Sequence, residues 1–198
     1  MKFVVGLTGQ TGAGKSLLCD KARDNGFFVV DCDAVAHKVQ QTEDVKIALC
    51  NVFGSDILSG DNIDRQKLAQ KAFASKEQTE LLNKTILPFI VTEIKNIISG
   101  AKEEYILLDA PTLFESGADN LCDKVIGVIA DREVRHNRII ARDNLTPDRA
   151  ESRLNAGKPD EFYKEKCDFV LINNGSADEF INNFDILIKD ILGGIKNG

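Results

Sequence analysis

Eight consecutive residues, Gly9-Gln10-Thr11-Gly12-Ala13-Gly14-Lys15-Ser16, place three glycines, a lysine and a hydroxyl at the spacing G-x-x-x-x-G-K-[ST]. That spacing suits a phosphate chain. The glycines let the backbone curl in conformations that a side chain would block, with its N–H groups turned inward. Lys15 can reach the β- and γ-phosphates, and the Ser16 hydroxyl can ligate Mg²⁺. The apolar run Phe3-Val4-Val5-Gly6-Leu7 precedes the loop and Leu17-Leu18-Cys19 follows it. A strand therefore leads in and a helix leads out, and the helix start adds the positive end of its dipole. An ordinary Gly/Ser/Thr connection requires no such agreement of loop, strand and helix, so the chain is expected to bind a nucleoside triphosphate.

Carboxylates recur where such a loop would use them. Asp31 and Asp33 follow the apolar Phe27-Phe28-Val29-Val30, and Asp109 ends Tyr105-Ile106-Leu107-Leu108. Parallel strands deliver ligand-facing residues at their carboxyl ends, so all three belong on the rim that carries the glycine loop. Asp33 can take a proton from an attacking hydroxyl, and Asp109 can hold Mg²⁺ together with Ser16. The alternative for the first pair is that one of them only caps the helix that starts at Ala34. For Glu115 a rim position and a solvated loop position stand equal.

The cations are clustered. Arg135, Arg138 and Arg142 share one helix face by their i, i+3, i+7 spacing, and Arg149 and Arg153 are four apart on the next helix. Guanidinium groups bind phosphate oxygens in pairs and offset charge that shifts during transfer. A solvated face paired with Asp131, Asp143 and Glu151 is the plainer alternative for any one of them. From Asp131 to Lys158 seven basic residues stand against five acidic ones, which is +2, so the rest of a chain of net charge −6 carries −8. A local cationic surface on an acidic protein fits a small anionic ligand and excludes a binder dominated by nucleic-acid phosphates. Asn173-Asn174-Gly175 forms a turn that could cup an adenine edge. His37 and His136 have no partners at metal spacing.

The elements that must position these groups alternate. Strands are expected at Phe3–Leu7, Phe27–Val30, Tyr105–Leu108, Lys124–Ile129 and Phe169–Ile172. Helices are expected at Lys15–Arg23, stopped by Asn25-Gly26, and at Ala34–Gln40. Short unalternating apolar strands between helices indicate a parallel sheet covered on both faces. Ser176 and Glu179 mark a capping box for a last helix whose stripe is Phe180, Ile181, Phe184, Leu187, Ile188 and Ile191. Residues 45–100 read as helical without a strand. Residues 132–166 read as charged helices, with Thr146-Pro147-Asp148 opening one of them. These two stretches are the expected substrate-holding part and lid of one domain.

Length and composition agree with a single globular domain: 198 residues, 43% hydrophobic. No apolar stretch approaches the roughly 18 residues that span a bilayer. The start, Met1 to Gly6, is too short for a secretory signal, so a cytoplasmic setting is expected. Cys19, Cys32, Cys50, Cys122 and Cys167 are odd in number and scattered, which points to reduced thiols. The sequence leaves the oligomeric state open.

Taken together, these residues resemble the dephospho-coenzyme A kinase family. The likeness runs through Leu7-Thr8-Gly9 and Gly12-Ala13-Gly14-Lys15-Ser16, then Val30-Asp31-Cys32-Asp33 and Ala36-His37-Lys38-Val39. It continues in Phe53-Gly54, Ile63-Asp64-Arg65, Leu68, Asp109-Ala110-Pro111-Thr112-Leu113-Phe114-Glu115 and Arg138-Ile139-Ile140-Ala141-Arg142-Asp143. It closes with Cys167-Asp168-Phe169-Val170 and Asn173-Asn174-Gly175. The resemblance implies an α/β P-loop kinase with a five-stranded parallel sheet flanked by helices, a helical substrate-binding part at about 45–100 and a lid at about 132–160. It implies transfer of the ATP γ-phosphate to the ribose 3′-hydroxyl of dephospho-coenzyme A, with Mg²⁺; another small-metabolite or nucleoside monophosphate kinase is the alternative. By the same likeness Asp33 is the catalytic base, Gly12, Ala13, Gly14, Lys15, Ser16 and Leu17 hold ATP, and Arg138 and Arg142 are the lid arginines. Asn174 and Gly175 join the nucleotide contacts. Three positions depart from the family pattern: Leu17 stands where Thr is frequent, Leu87-Pro88 where His-Pro is usual, and Ala156-Gly157 where Ala-Gln is common. A guanine-reading Asn-Lys-x-Asp is missing, since Asn83-Lys84-Thr85-Ile86 lacks the aspartate.

Overall fold

The structure, a computed structural model, describes residues 2–196. In chain order the first half carries β1 (Phe3–Gly9), α1 (Lys15–Asp24), β2 (Phe28–Asp31), α2 (Cys32–Val39), α3 (Glu43–Phe53), β3 (Leu58–Ser59), β4 (Asn62–Ile63), α4 (Arg65–Ala72) and α5 (Lys76–Gly100). The second half carries β5 (Tyr105–Asp109), α6 (Leu113–Ser116), β6 (Lys124–Ile129), α7 (Arg132–Asp143), α8 (Pro147–Asn155), α9 (Asp160–Lys166), β7 (Phe169–Ile172) and α10 (Ala177–Lys196). The chain divides into two compact units, one of residues 2–29, 103–113 and 122–196, the other of residues 30–102 and 114–121. No helix among the described residues is long and apolar enough to cross a membrane.

The first unit is built on a five-stranded sheet of order β2-β5-β1-β6-β7, which β2 enters with Phe28 and Val29. β1 pairs in parallel with β5 on one side and β6 on the other, and β6 pairs in parallel with β7. The central strand β1 is buried from Val4 to Gly9, which is why its sequence runs apolar without alternating. Val5, Leu7, Leu107, Ile126 and Val128 of the sheet share one core with Leu18 and Ala22 of α1 and with Phe180, Phe184 and Ile188 of α10. The stripe read on the last helix is therefore the face that covers the sheet. Ser176 Oγ accepts from the Glu179 N–H at 3.2 Å, which is the serine half of the expected capping box. At the opposite end of the sheet Asp123 accepts from the Val4 N–H at 2.7 Å and Asp168 from the Val125 N–H at 2.8 Å, so two carboxylates satisfy the second N–H of β1 and of β6. Beside Asp168, burial first and the neighbouring carboxylate second push the Cys167 thiol up to about 12. The five cysteines are free thiols.

The second unit is helical apart from one small feature. Val35 and Val39 of α2, Val45, Leu49 and Phe53 of α3, Leu68 of α4, and Leu82, Ile86, Ile90 and Ile94 of α5 are buried. The α5 set recurs every fourth residue, the spacing that keeps one helix face apolar. Residues 45–100 were expected to hold no strand. Leu58–Ser59 and Asn62–Ile63 pair antiparallel as a two-stranded hairpin. Two residues per strand are too few to show a period of two, so only the Gly60-Asp61 turn could have signalled it. The other elements differ from expectation by shifts at their ends. β1 runs on to Gly9 and β2 and α2 are each displaced along the chain, whereas β6 and β7 fall where the apolar runs put them.

Candidate active site

The phosphate loop owes its shape to two glycines and two buried amides. Gly12 and Gly14 lie at φ +79° and +98°, in the left-handed region that a side chain disfavours. A Cβ on Gly12 would stand 2.9 Å from the Arg135 carbonyl oxygen and from Ile139 Cγ1, and one on Gly14 would overlap Asn173 Nδ2. The loop is thus wrapped closely by α7 and by the turn after β7. Gln10 donates its N–H to Val128 O at 3.0 Å, and Ala13 donates to Gln10 O at 3.1 Å, which closes the curl. Gly14 is the N-cap of α1, so Lys15 and Ser16 open that helix at the positive end of its dipole.

Asp109 ends β5 as the in-register partner of Leu7 on β1. Two neighbouring parallel strands therefore deliver the loop and the carboxylate side by side. Lys15 Nζ forms an ion pair with Asp109 Oδ1. Asp109, Lys15, Ser16, Arg138, Arg142 and Asn173 line one cavity of about 480 Å³ together with the loop glycines. Its size matches the usual range for a small ligand. One hydroxyl and one carboxylate, Ser16 and Asp109, are hard oxygen donors. They are the kind and number that Mg²⁺ takes from protein when phosphate oxygens and water complete its shell. Among the described residues no three His, Cys, Asp or Glu side chains cluster as a metal cage.

The five arginines separate into three kinds. Arg138 points at the turn after β7, with its Nη1 donating to Asn173 O at 3.0 Å and its Nη2 to Asn173 Oδ1 at 3.2 Å. Arg142 lies at the mouth, paired with both oxygens of Asp143 at 2.7 and 2.9 Å. That pairing raises the Arg142 pKa and lowers that of Asp143. Arg135, expected on the same face, is 6% exposed, and its Nε donates to Ala130 O at 2.8 Å. Burial lowers its pKa, with Asp160 opposing. It braces the start of α7 instead of lining the cavity. Arg153 pairs with Asp143 from α8, and Arg149 is exposed. Spacing put these arginines on common faces, but only the fold separates those aimed at the cavity from those spent on the scaffold.

The turn after β7 differs in detail from expectation. Asn174 is exposed, and its Oδ1 accepts from the Asp131 N–H at 2.8 Å; Gly175 is exposed beside it. The cavity itself is lined by Asn173, which is 2% exposed. Sequence reasoning took Asn173 only as part of a turn and Gln10 only as a loop residue, with no role for either side chain. Their one signal was an amide placed directly after an apolar strand, where a solvated side chain would serve a simple turn as well.

In the second unit Asp31 is the N-cap of α2, its Oδ1 accepting from the Ala34 N–H at 2.9 Å. That is the capping role weighed for it in the sequence. Asp33, in the first turn of the same helix, is exposed. Glu115 is exposed on α6. A cavity of about 450 Å³ opens in this unit beside Lys38, Thr42, Pro88, Phe89, Thr92 and Glu93.

A family model described as dephospho-CoA kinase matches residues 3–179. The chain is 35% identical over 190 residues to the dephospho-CoA kinase of Fusobacterium nucleatum subsp. nucleatum, covering 96% of this chain and 98% of that one. Among solved structures, a dephospho-CoA kinase from Campylobacter jejuni superposes with a TM-score of 0.70 at 28% identity, covering 98% and 99% of the two chains. A Thermus thermophilus protein superposes with a TM-score of 0.80 at 26% identity, covering 96% and 97%.

Proposed function

We propose that this chain, which belongs to the dephospho-CoA kinase family, transfers the γ-phosphate of ATP to the ribose 3′-hydroxyl of dephospho-coenzyme A. The products are coenzyme A and ADP, and the reaction is the last step of coenzyme A synthesis. The observation that carries the reading is the single cavity in which the glycine loop, Lys15, Asp109 and two arginines converge, in a chain matched to this family over nearly its whole length.

The loop N–H groups and Lys15 bind the β- and γ-phosphates, with Gly12, Ala13, Gly14, Ser16 and Leu17 forming the cradle. On arrival of the triphosphate, Lys15 exchanges Asp109 for phosphate oxygens. That frees the Asp109 carboxylate to stand with the Ser16 hydroxyl as the holders of Mg²⁺. When bound, the ion offsets charge on the β- and γ-oxygens. Arg138 and Arg142 offset the charge that moves onto the bridging oxygen as the bond to the γ-phosphorus breaks. Asn174 and Gly175 flank the base. Asp33 takes the proton of the 3′-hydroxyl as the new O–P bond forms, so the acceptor loses a proton, the donor leaves as ADP, and the charge balances. The cavity beside Phe89 mixes apolar walls with Thr42 and Thr92 hydroxyls, a lining suited to the uncharged amide-bearing arm of the acceptor. Free thiols throughout are consistent with a reducing, cytoplasmic setting.

The test is an acceptor panel. Purified protein with γ-labelled ATP is offered dephospho-coenzyme A, AMP, CMP and shikimate in turn. Label is expected on the first alone, and transfer to any other acceptor in preference to it would overturn the assignment. Asp33→Asn is expected to lower kcat by roughly 10²–10³ with ATP affinity unchanged. A near-normal kcat would place the base elsewhere.

A further inference from the structure

We propose that Asn173 is a positioning residue through which the phosphate loop sets the direction of Arg138. The inference rests on the role given above to Arg138. Asn173 is 2% exposed and uses every polar group it has. Its Nδ2 donates to the Ala13 carbonyl inside the phosphate loop at 2.7 Å, and its Oδ1 accepts from Arg138 Nη2 at 3.2 Å. The backbone carbonyl of Asn173 accepts from Arg138 Nη1 at 3.0 Å, and its N–H donates to Ile129 O at 2.9 Å. One residue thus joins the loop, the guanidinium and the end of β6.

The carboxamide is a rigid plane with its donor and acceptor at a fixed separation. Any shift of the Ala13 carbonyl moves Nδ2, and Oδ1 moves with it. Arg138, held by that oxygen, lines the cavity the phosphates enter. Gly14 of the same loop lies so close to Nδ2 that a Cβ there would overlap it. An amide is the group this junction needs. A carboxylate would hold Arg138 by charge and repel the Ala13 oxygen, and a shorter polar side chain could not span both partners.

Gln10 marks the contrast. It is 4% exposed and equally well bonded, its Nε2 donating to Lys158 O at 3.2 Å and Asp160 Oδ1 at 2.8 Å and its Oε1 accepting from the Ala130 N–H at 3.3 Å. Those partners are backbone groups and a carboxylate outside the cavity lining, so Gln10 is a brace. Asn173 holds a cation that faces the ligand.

The experiment is a double-mutant cycle of Asn173→Ala and Arg138→Ala, read as kcat at saturating ATP and as the Kd of a fluorescent ATP analogue, with Tm measured alongside. Asn173→Ala is expected to lower kcat about tenfold in the parent and less than about twofold when Arg138 is already alanine. Equal losses in both backgrounds, or a fall in Tm with kcat retained, would make Asn173 a structural brace and overturn the proposal. Asn173→Ser, too short to span both partners, carries the same cycle should the alanine variant not fold, with the same expected non-additivity. A parent protein that fails to label dephospho-coenzyme A defeats the activity reading. An active parent with additive losses defeats only the positioning role, and the Kd arm reads the coupling without any acceptor.

Discussion

The phosphate loop and the α7–α8 hairpin lie in the same unit and are held by different physics. The loop sits over the main core and is fixed by buried amides and short backbone bonds, from Gln10 and Asn173 and from the packing of α7 on Gly12. The hairpin has a small core of its own, Ile139, Ala150 and Leu154 with Ile140 and Leu145 against it. Around that core its ties are ion pairs near the surface: Arg132 with Glu151, and Arg142 and Arg153 both with Asp143. Buried hydrogen bonds in a low-dielectric setting cannot be exchanged cheaply for water, whereas surface ion pairs can. A nucleotide therefore meets a preformed cradle, and beside it a hairpin whose surface charges can change partners. Arg142 is the clearest case, paired with Asp143 yet lining the cavity. Arg138 belongs to the hairpin by sequence and to the cradle by bonding.

Removing the charge at the centre of the cradle tests this contrast most strongly. Lys15→Ala is expected to lower kcat by about 10³ or more in the phosphotransfer assay, because no group on the hairpin can substitute for it. Gly14→Ala should follow. It forces a side chain to φ +98° and into Asn173, a strain of about 1–2 kcal/mol before the clash is counted, so both Tm and nucleotide affinity should fall. A parent-like Tm would mean that the loop is softer than its bonding implies. Asp143→Asn should act on the hairpin alone, with faster hydrogen exchange across 145–155, Tm scarcely moved and kcat within about threefold of the parent. A large loss of Tm would show that the hairpin is as integral as the loop. The smallest effect is with pH. The hydrogen bond from Arg142 lowers the Asp143 pKa in the folded state, so the clamp is intact above the unfolded carboxylate range and is lost as pH falls through the still lower folded value. Hairpin exchange, corrected for its intrinsic rate, should stay flat from about pH 8 to 5 and rise only below about pH 4. A rise near neutrality would mean that some other group holds the hairpin.

Much of this was readable along the chain. The glycine loop, strands β6 and β7, the start of α1 and the covered face of α10 are local patterns, each confined to a few neighbouring residues. Asp109 could be placed because the glycine loop gives a use to an acidic residue that closes a nearby apolar strand. The β3–β4 hairpin was hidden by its brevity. The roles of the arginines were hidden by a deeper ambiguity: Arg135, Arg138 and Arg142 share one helix face by spacing, yet one is buried on Ala130, one grips Asn173 and one rests on Asp143.

Sequence by itself therefore determined the chemistry on offer: a phosphate-shaped loop, a carboxylate beside it, and cations in reserve. Tertiary structure alone decided which cation is spent on the scaffold and which faces the ligand, and it made Asn173 a junction. The physical reason is that periodicity and turn chemistry act between near neighbours in the chain. The partners of a buried polar group are set by the order of strands in the sheet, which brought residues 13, 138 and 173 together from three distant segments.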